Sequence, residues 1–239
     1  KKPIIIIGQS ALKLKSGKFI FEELKKYLEQ HNKINKEWNS LNVLSNHAST
    51  VGAYDLDILT PAEEKTSLLT KIANNQFDVL FLFNQDNLNL KKKSEFIIYI
   101  GSHGDKGAEM ADIILPSATY TEQDGYFTNL EGKMQKAYKA SYPPGEAKED
   151  WKIINELSEL IKRKKLYSNK VELIDAMKNY LKLSNKNNSM KISKTEFINE
   201  NITIEPIDYY YSNAIARASY TMSECRSKKL KAKSTGTDG

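Results

Sequence analysis

Residues 101–135 read GSHGDKGAEMADIILPSATYTEQDGYFTNLEGKMQ, and this run decides the fold. It joins a glycine-rich turn, Gly101 to Gly107, to a short apolar strand, Asp112 to Leu115, closed by Pro116. A polar segment punctuated by Gly125 and Gly132 follows. Glycine after an apolar strand permits positive φ and close backbone approach, and Gly104 and Gly125 are read as positive-φ positions. Proline ends the strand because it has no N–H for a further ladder bond. Open α/β sheets hold ligands at such strand ends, so the stretch is a binding site or the remains of one.

Working outward, Pro3 to Gly8 is a continuous apolar strand of the kind covered on both faces in a parallel sheet. Gly17 to His31 places Ile20, Leu24, Tyr27 and Leu28 on one face of an amphipathic helix. Leu41 to Leu44 is a second strand, and Asn46 to Tyr54 a helical turn. Thr60, Pro61 and Glu63 have the order of a capped helix start, with a helix to about Asn74. Phe77 to Phe83 and Glu95 to Ile100 are the third and fourth strands, and Asp112 to Leu115 the fifth. Lys91, Lys92 and Lys93 lie between the third and fourth and are read as a solvated loop. Strands alternating with helices predict an α/β fold with a mainly parallel sheet and flanking helices.

After Gln135 the character changes. Pro143, Pro144 and Gly145 form a rigid hinge, and helical patterns follow: Trp151, Ile154, Leu157 and Ile161 on one with Ile153 and Leu160 beside them, Val171, Ile174, Met177 and Leu181 on the next. Ser184 to Ser189 is a polar linker, Asn213 to Cys225 a helix with a small-residue face, and Arg226 to Gly239 a mobile tail. The expected organisation is an α/β domain over residues 1–145 and a helical C-terminal extension over 146–239.

The net charge of +6 and pI near 9.0 invite a nucleic-acid reading, but only Arg163, Arg217 and Arg226 among the 36 basic residues are arginine. Specific nucleic-acid readers favour the bidentate arginine fork, so AT-rich coding and solubility explain the lysines better. Cys225 is the only cysteine, which excludes a Cys₄ iron–sulfur site within these residues. His31, His47 and His103 lack zinc-ligand spacing. No apolar run approaches the roughly 20 residues that span a bilayer, so the chain is expected to be soluble or peripheral to something larger. It begins at Lys1 and is expected to be processed, a split-gene product or a fragment.

Ala111 to Pro116, then Glu122, Gly125, Asn129, Glu131, Gly132 and Gln135, resemble the ADVVLP…E…GT…N…EGR…Q pattern of the molybdopterin oxidoreductase family. Within it, the Gly101 to Ala108 turn is similar to one in the C-terminal region of the large iron–sulfur subunit of respiratory complex I, NADH:ubiquinone oxidoreductase. Pro3 to Ala11, Pro143 to Ile154 and Tyr209 to Cys225 extend the likeness to the mitochondrial-type subunit over nearly the whole chain. The resemblance implies a non-catalytic, degenerate molybdopterin-type domain in the matrix arm of complex I at the mitochondrial inner membrane. It also implies other peripheral-arm subunits as partners, and iron–sulfur clusters in a partner chain carrying the rest of the subunit. Tyr126 stands where the pattern has Thr and Lys133 where it has Arg, which implies a fold kept without its pterin. The alternatives are a fragment of an active molybdopterin enzyme and a free-standing nucleotide-binding domain using the Gly101 to Gly107 turn.

His103 and Asp105 offer an acid–base pair, or the turn a phosphate cradle, but a turn that is only a turn is the favoured reading. Glu122, Asp124 and Glu131 offer carboxylates without paired geometry, and Glu131 is expected to accept bonds that fix its segment. Ser10 and Ser117 lack a nucleophile elbow. No residue is assigned a catalytic, cofactor-binding or metal-ligating role, and no cofactor is expected in this chain.

Overall fold

Short β-branched and aromatic runs form the strands, and the longer 3.6-period segments between them form the helices. The computed structural model describes residues 2–58, 62–86, 88, 90–184, 196–201 and 208–234. In chain order the elements are β1 (Ile5–Gly8), α1 (Gln9–Leu12), α2 (Gly17–Gln30), β2 (Leu41–Leu44), α3 (Thr50–Asp55), α4 (Ala62–Ala73), β3 (Val79–Phe83) and β4 (Phe96–Gly101). Then come α5 (Lys106–Met110), β5 (Ile113–Pro116), β6 (Gly125–Thr128), β7 (Met134–Ala137), α6 (Asp150–Lys162), α7 (Lys170–Ser184), a 3₁₀ turn (Tyr209–Tyr211), α8 (Ala214–Ala218) and α9 (Tyr220–Ser234). The architecture is α/β with parallel strand pairs, flanking helices and a helical C-terminal stretch, as the sequence predicts.

Two compact units draw on interleaved parts of the chain, and each takes residues from both sides of 145. The first comprises residues 1–60, 126–137 and 169–204. In it β1 and β2 pair in parallel, Ile5 opposite Leu41 and Gly8 opposite Leu44. Trp38 fixes the entry to both strands, its indole N–H donating to the Pro3 carbonyl and the Ser40 hydroxyl. Leu28 of α2 is buried as expected, whereas Tyr27 is exposed and lies against the His31 ring at 4.2 Å. Ser16 at the start of α2 is tied to Ile198, its hydroxyl donating to the Ile198 carbonyl and accepting from the Ile198 N–H.

The second unit comprises residues 61–125, 138–168 and 205–239. Its sheet has the order β3-β4-β5, all parallel, with Phe81 opposite Ile98 and Ile98 opposite Ile113. Leu82, Ile97 and Tyr99 form the core on one face. Asp112 anchors the start of β5, accepting from the Ile97 N–H at 2.8 Å and from Lys92 at 2.5 Å, so Lys92 is paired rather than merely solvated. Along α6 Ile153 and Asn155 are buried; of the expected face Trp151 and Leu157 are half-buried, while Ile154 and Ile161 are exposed.

Three elements depart from expectation. Lys106–Met110 is a helix inside the expected turn, and β6 with β7 form a two-stranded sheet in the expected polar segment. The C-terminal helix is two helices, and α9 continues to Ser234 through the start of the expected tail. Thr60 and Pro61, residues 185–189 of the linker and residues 235–239 lie outside the described residues.

Candidate functional site

β3 and β4 are adjacent parallel strands, so the loops that follow them open at the same edge of the sheet, where α/β folds bind ligands. Asp86 follows β3 and Asp105 follows β4, and the side chain of Arg217 from α8 joins them. Its Nη2 meets the Asp86 carboxylate at 3.0 Å and its Nε donates to Asp105 at 2.5 Å, while Nη1 donates to the Tyr211 carbonyl at 3.3 Å. All three charged side chains are about four-fifths buried, with 16–21% exposure, so the pairing is little screened.

Asp105 is occupied on both oxygens: Oδ1 accepts from the Lys106 N–H as the cap of α5, and Oδ2 accepts from Arg217. The Lys106 N–H, opposed by burial and reinforced by Arg217, holds its carboxyl below the usual range. Tyr99 lies beneath, its hydroxyl donating to the His103 carbonyl at 2.9 Å. Burial pushes the Tyr99 phenol up, and the charges of Asp86 and Asp105 add to that.

The glycines here serve space rather than backbone sign. A Cβ on Gly101 would lie 2.3 Å from the Tyr99 hydroxyl, and one on Gly107 would lie 2.4 Å from the Gln85 carbonyl oxygen. Gly104 has no atom within 4 Å of an added Cβ, and neither it nor Gly125 has positive φ; within the 101–135 stretch that conformation falls to Gly132, at 80°. The expectation at Gly104 and Gly125 is therefore corrected: close approach, at Gly101 and Gly107, is what this turn requires.

The other candidates do not assemble a reacting group. His103 meets Ser102 through Nδ1 at 3.0 Å and is not bonded to Asp105, whose oxygens are taken. Glu122 accepts from the Thr119 N–H, and Asp124 from the Lys139 N–H. Glu131 is exposed, and the bonds that shape its turn converge instead on Asn129, whose Oδ1 accepts from the N–H groups of Glu131 and Lys133. Ser117 is buried with its hydroxyl unpartnered. Ser10 lies in α1. Among the described residues no group of three or more His, Cys, Asp or Glu is placed to hold a metal ion.

The first unit has its own strand-end feature, a groove of about 400 Å³ after β2 lined by Asn46, His47, Thr128, Asn129, Leu130 and Gln135 among others. It brings Asn129 and Gln135 of the 101–135 stretch beside His47, a neighbour that spacing alone does not suggest. Its polar groups are amides, hydroxyls and one imidazole, and among the described residues no Lys or Arg lines it. Such a wall can bond a neutral heterocycle and gives no cation to a phosphate. Arg217 is a site residue that sequence reasoning does not single out; its one signal there is being one of three arginines in a chain rich in lysine.

The molybdopterin oxidoreductase family model matches residues 1–160, and the model for the C-terminal part of the G subunit of NADH-ubiquinone oxidoreductase matches residues 170–225. The G subunit of the NADH-quinone oxidoreductase of Rickettsia bellii is 39% identical over 99% of this chain and 34% of its own length. The NADH-ubiquinone oxidoreductase 75 kDa subunit of Reclinomonas americana is 35% identical over 95% of the chain and 34% of its own. The mitochondrial 78 kDa subunit of Candida albicans is 34% identical over 94% and 33%. The chain thus spans about a third of the length of the curated relatives it matches. The parallel strands, the Gly101 to Gln135 stretch they carry and a match over residues 1–160 agree, and the chain belongs to the molybdopterin oxidoreductase family.

Proposed function

We propose that this chain is a non-catalytic part of the large subunit of the NADH:quinone oxidoreductase, complex I, a molybdopterin-type domain kept for its shape. The observation that carries the reading is the engagement of Asp105. At the edge where this fold class binds ligands, the chain's own Arg217 pairs with both Asp86 and Asp105. An anionic pterin cofactor suits this edge poorly, because it would meet two carboxylates, Asp86 and Asp105, with Arg217 already committed to them and the exposed Lys106 as the cation beside them. Among the described residues the groove after β2 offers it no cation. Fold without chemistry is ordinary because function belongs to sites.

Membership of the complex is supported by relatives named for it along nearly the whole chain, including mitochondrial ones and bacterial ones from Rickettsia. In a mitochondrion the chain would belong to the matrix arm, reaching the membrane only through its partners. Among the described residues no helix is long and apolar enough to cross a membrane. Its partners would be the cluster-bearing part of the same subunit, whether continuous with it or a separate chain, and neighbouring peripheral-arm subunits. Affinity purification through a tag on this chain tests the reading. NADH–quinone oxidoreductase activity and iron should co-purify, with no molybdenum; stoichiometric molybdenum, or purification without that activity, would contradict it.

A further inference from the structure

The end of α6 and the loop after it read ELIKRKKL over residues 159–166, four cations against one carboxylate. Every residue of the run is exposed. Lys165 meets Glu159 at 3.6 Å, and among the described residues Lys162, Arg163 and Lys164 have no carboxylate within ion-pair reach. Cations in the last turn of a helix complement its dipole, which accounts for Lys162 and in part for its neighbours. It does not account for the aliphatic side chains among them: Leu160 is 79% exposed, Ile161 72% and Leu166 51%. Single exposed leucines are ordinary, but three aliphatic groups set round a basic run make a surface of two chemistries.

The loop is held in one shape. Arg163 ends α6 in the left-handed region, at φ 53°. The Ser158 hydroxyl donates to the Lys164 carbonyl at 3.0 Å, and Asn155 accepts from the Leu166 and Tyr167 N–H groups at 2.7 and 3.0 Å. Both anchors lie on α6, so the basic run is folded back over the helix end. A surface fixed before binding gives up little conformational freedom when a shaped partner meets it, an advantage that a fluid bilayer does not use. Nor does the run suit nucleic acid, since it holds no aromatic ring to stack on a base and one arginine to fork a phosphate.

We propose that this corner seats an acidic segment of another subunit, one with Asp or Glu set among aliphatic residues. The inference rests on the subunit reading above. Carboxylates of the partner pair with Lys162, Arg163 and Lys164, and its aliphatic groups cover Leu160, Ile161 and Leu166. Charge then steers the approach and fixes the register, while the apolar contact adds burial. A centre of cations is unlike the apolar packing inside one subunit and like the polar contacts between separately folded chains. A second copy meeting it corner to corner would set four cations against four.

The test is a photo-reactive benzoylphenylalanine placed at Leu160 in the complex assembled in native membranes, with mass spectrometry of the cross-links and a control probe at Tyr120. Cross-links from position 160, and not from 120, to a segment of another subunit in which Asp and Glu outnumber Lys and Arg are expected. Cross-links from 160 to a segment without that excess of acid, to the rest of the same subunit, to a second copy, to lipid or to nucleic acid would overturn the inference and leave the subunit reading standing. So would no cross-link at all, or the same cross-link from 120. Absence of NADH–quinone oxidoreductase activity in the tagged preparation would overturn that reading and the inference with it. As a second measurement, the double variant Lys162→Glu, Lys164→Glu should lower the yield of the cross-link per assembled complex about tenfold, while Lys162→Arg, Lys164→Arg keeps it. Equal yields from the two double variants would also overturn the proposal.

Discussion

Arg217 holds two carboxylates that would otherwise repel each other at about four-fifths burial. Arg217→Gln should therefore destabilise the chain by about 2 kcal/mol, the scale of a lost hydrogen bond to a charged group, measured by urea unfolding at neutral pH. The loss has a pH signature. The carboxyl of Asp105 is held below its ordinary value by the Lys106 N–H first and by Arg217 as well. A depressed folded pKa stabilises above the unfolded value, near pH 4, and that contribution fades as pH falls through the folded value. The gap between wild type and Arg217→Gln should be full above about pH 5 and shrink below about pH 4; a gap that does not change with pH would place the effect elsewhere. The glycines give a contrast at the same scale. Gly107→Ala must push against the Gln85 carbonyl and should cost roughly 1–3 kcal/mol, whereas Gly104→Ala meets nothing and should stay within about 0.5 kcal/mol. Equal effects in thermal unfolding would refute the spatial account. The sequence shows that glycine is required somewhere in this turn, but not which one, because the requirement comes from Tyr99 and Gln85 folding over it.

At the scale of elements, the strands are legible because each is a short run of Ile, Leu, Val and Phe between polar breaks, as at Ile5–Gly8 and Val79–Phe83. The helices are legible as periods, α2 best of them. What pattern cannot supply are the short elements held by side chains placed elsewhere. α5 exists because Asp105 caps it, and the turn between β6 and β7 because Asn129 gathers the Glu131 and Lys133 amides. Along α6 the deepest burial falls on Ile153, beside the expected face, of which Trp151 and Leu157 are half-buried and Ile154 is exposed. The polar residue beside it explains part of this. Asn155 clamps the loop after α6, its Oδ1 accepting from the Leu166 and Tyr167 N–H groups and its Nδ2 donating to the Tyr167 carbonyl. Asn155→Ala leaves those groups to find other partners and should cost about 1–3 kcal/mol, with faster amide hydrogen exchange at 166 and 167. Unchanged exchange there would show that the clamp is not what orders the loop.

For the whole molecule, the family is legible from one 35-residue stretch because that stretch carries both a strand end and its turn, whereas the two interleaved units are not. Their segments meet through contacts far apart in sequence, such as Ser16 with Ile198 in the first and Asp105 with Arg217 in the second. Neither pair leaves a periodic trace. The second of these contacts is also the ground for reading the chain as a scaffold: at the strand-end edge where this fold class takes a ligand, the chain's own arginine is paired with Asp86 and Asp105. The most direct test is NADH–quinone turnover per assembled complex in His103→Ala, the one imidazole of the Gly101 to Gly107 turn. With its ring facing Ser102 and Asp105 committed to Arg217, turnover per complex should stay within about twofold of wild type. A fall of about a hundredfold with assembly intact, roughly 2.7 kcal/mol of lost transition-state stabilisation, would mean that the turn takes part in the chemistry and would contradict the scaffold account.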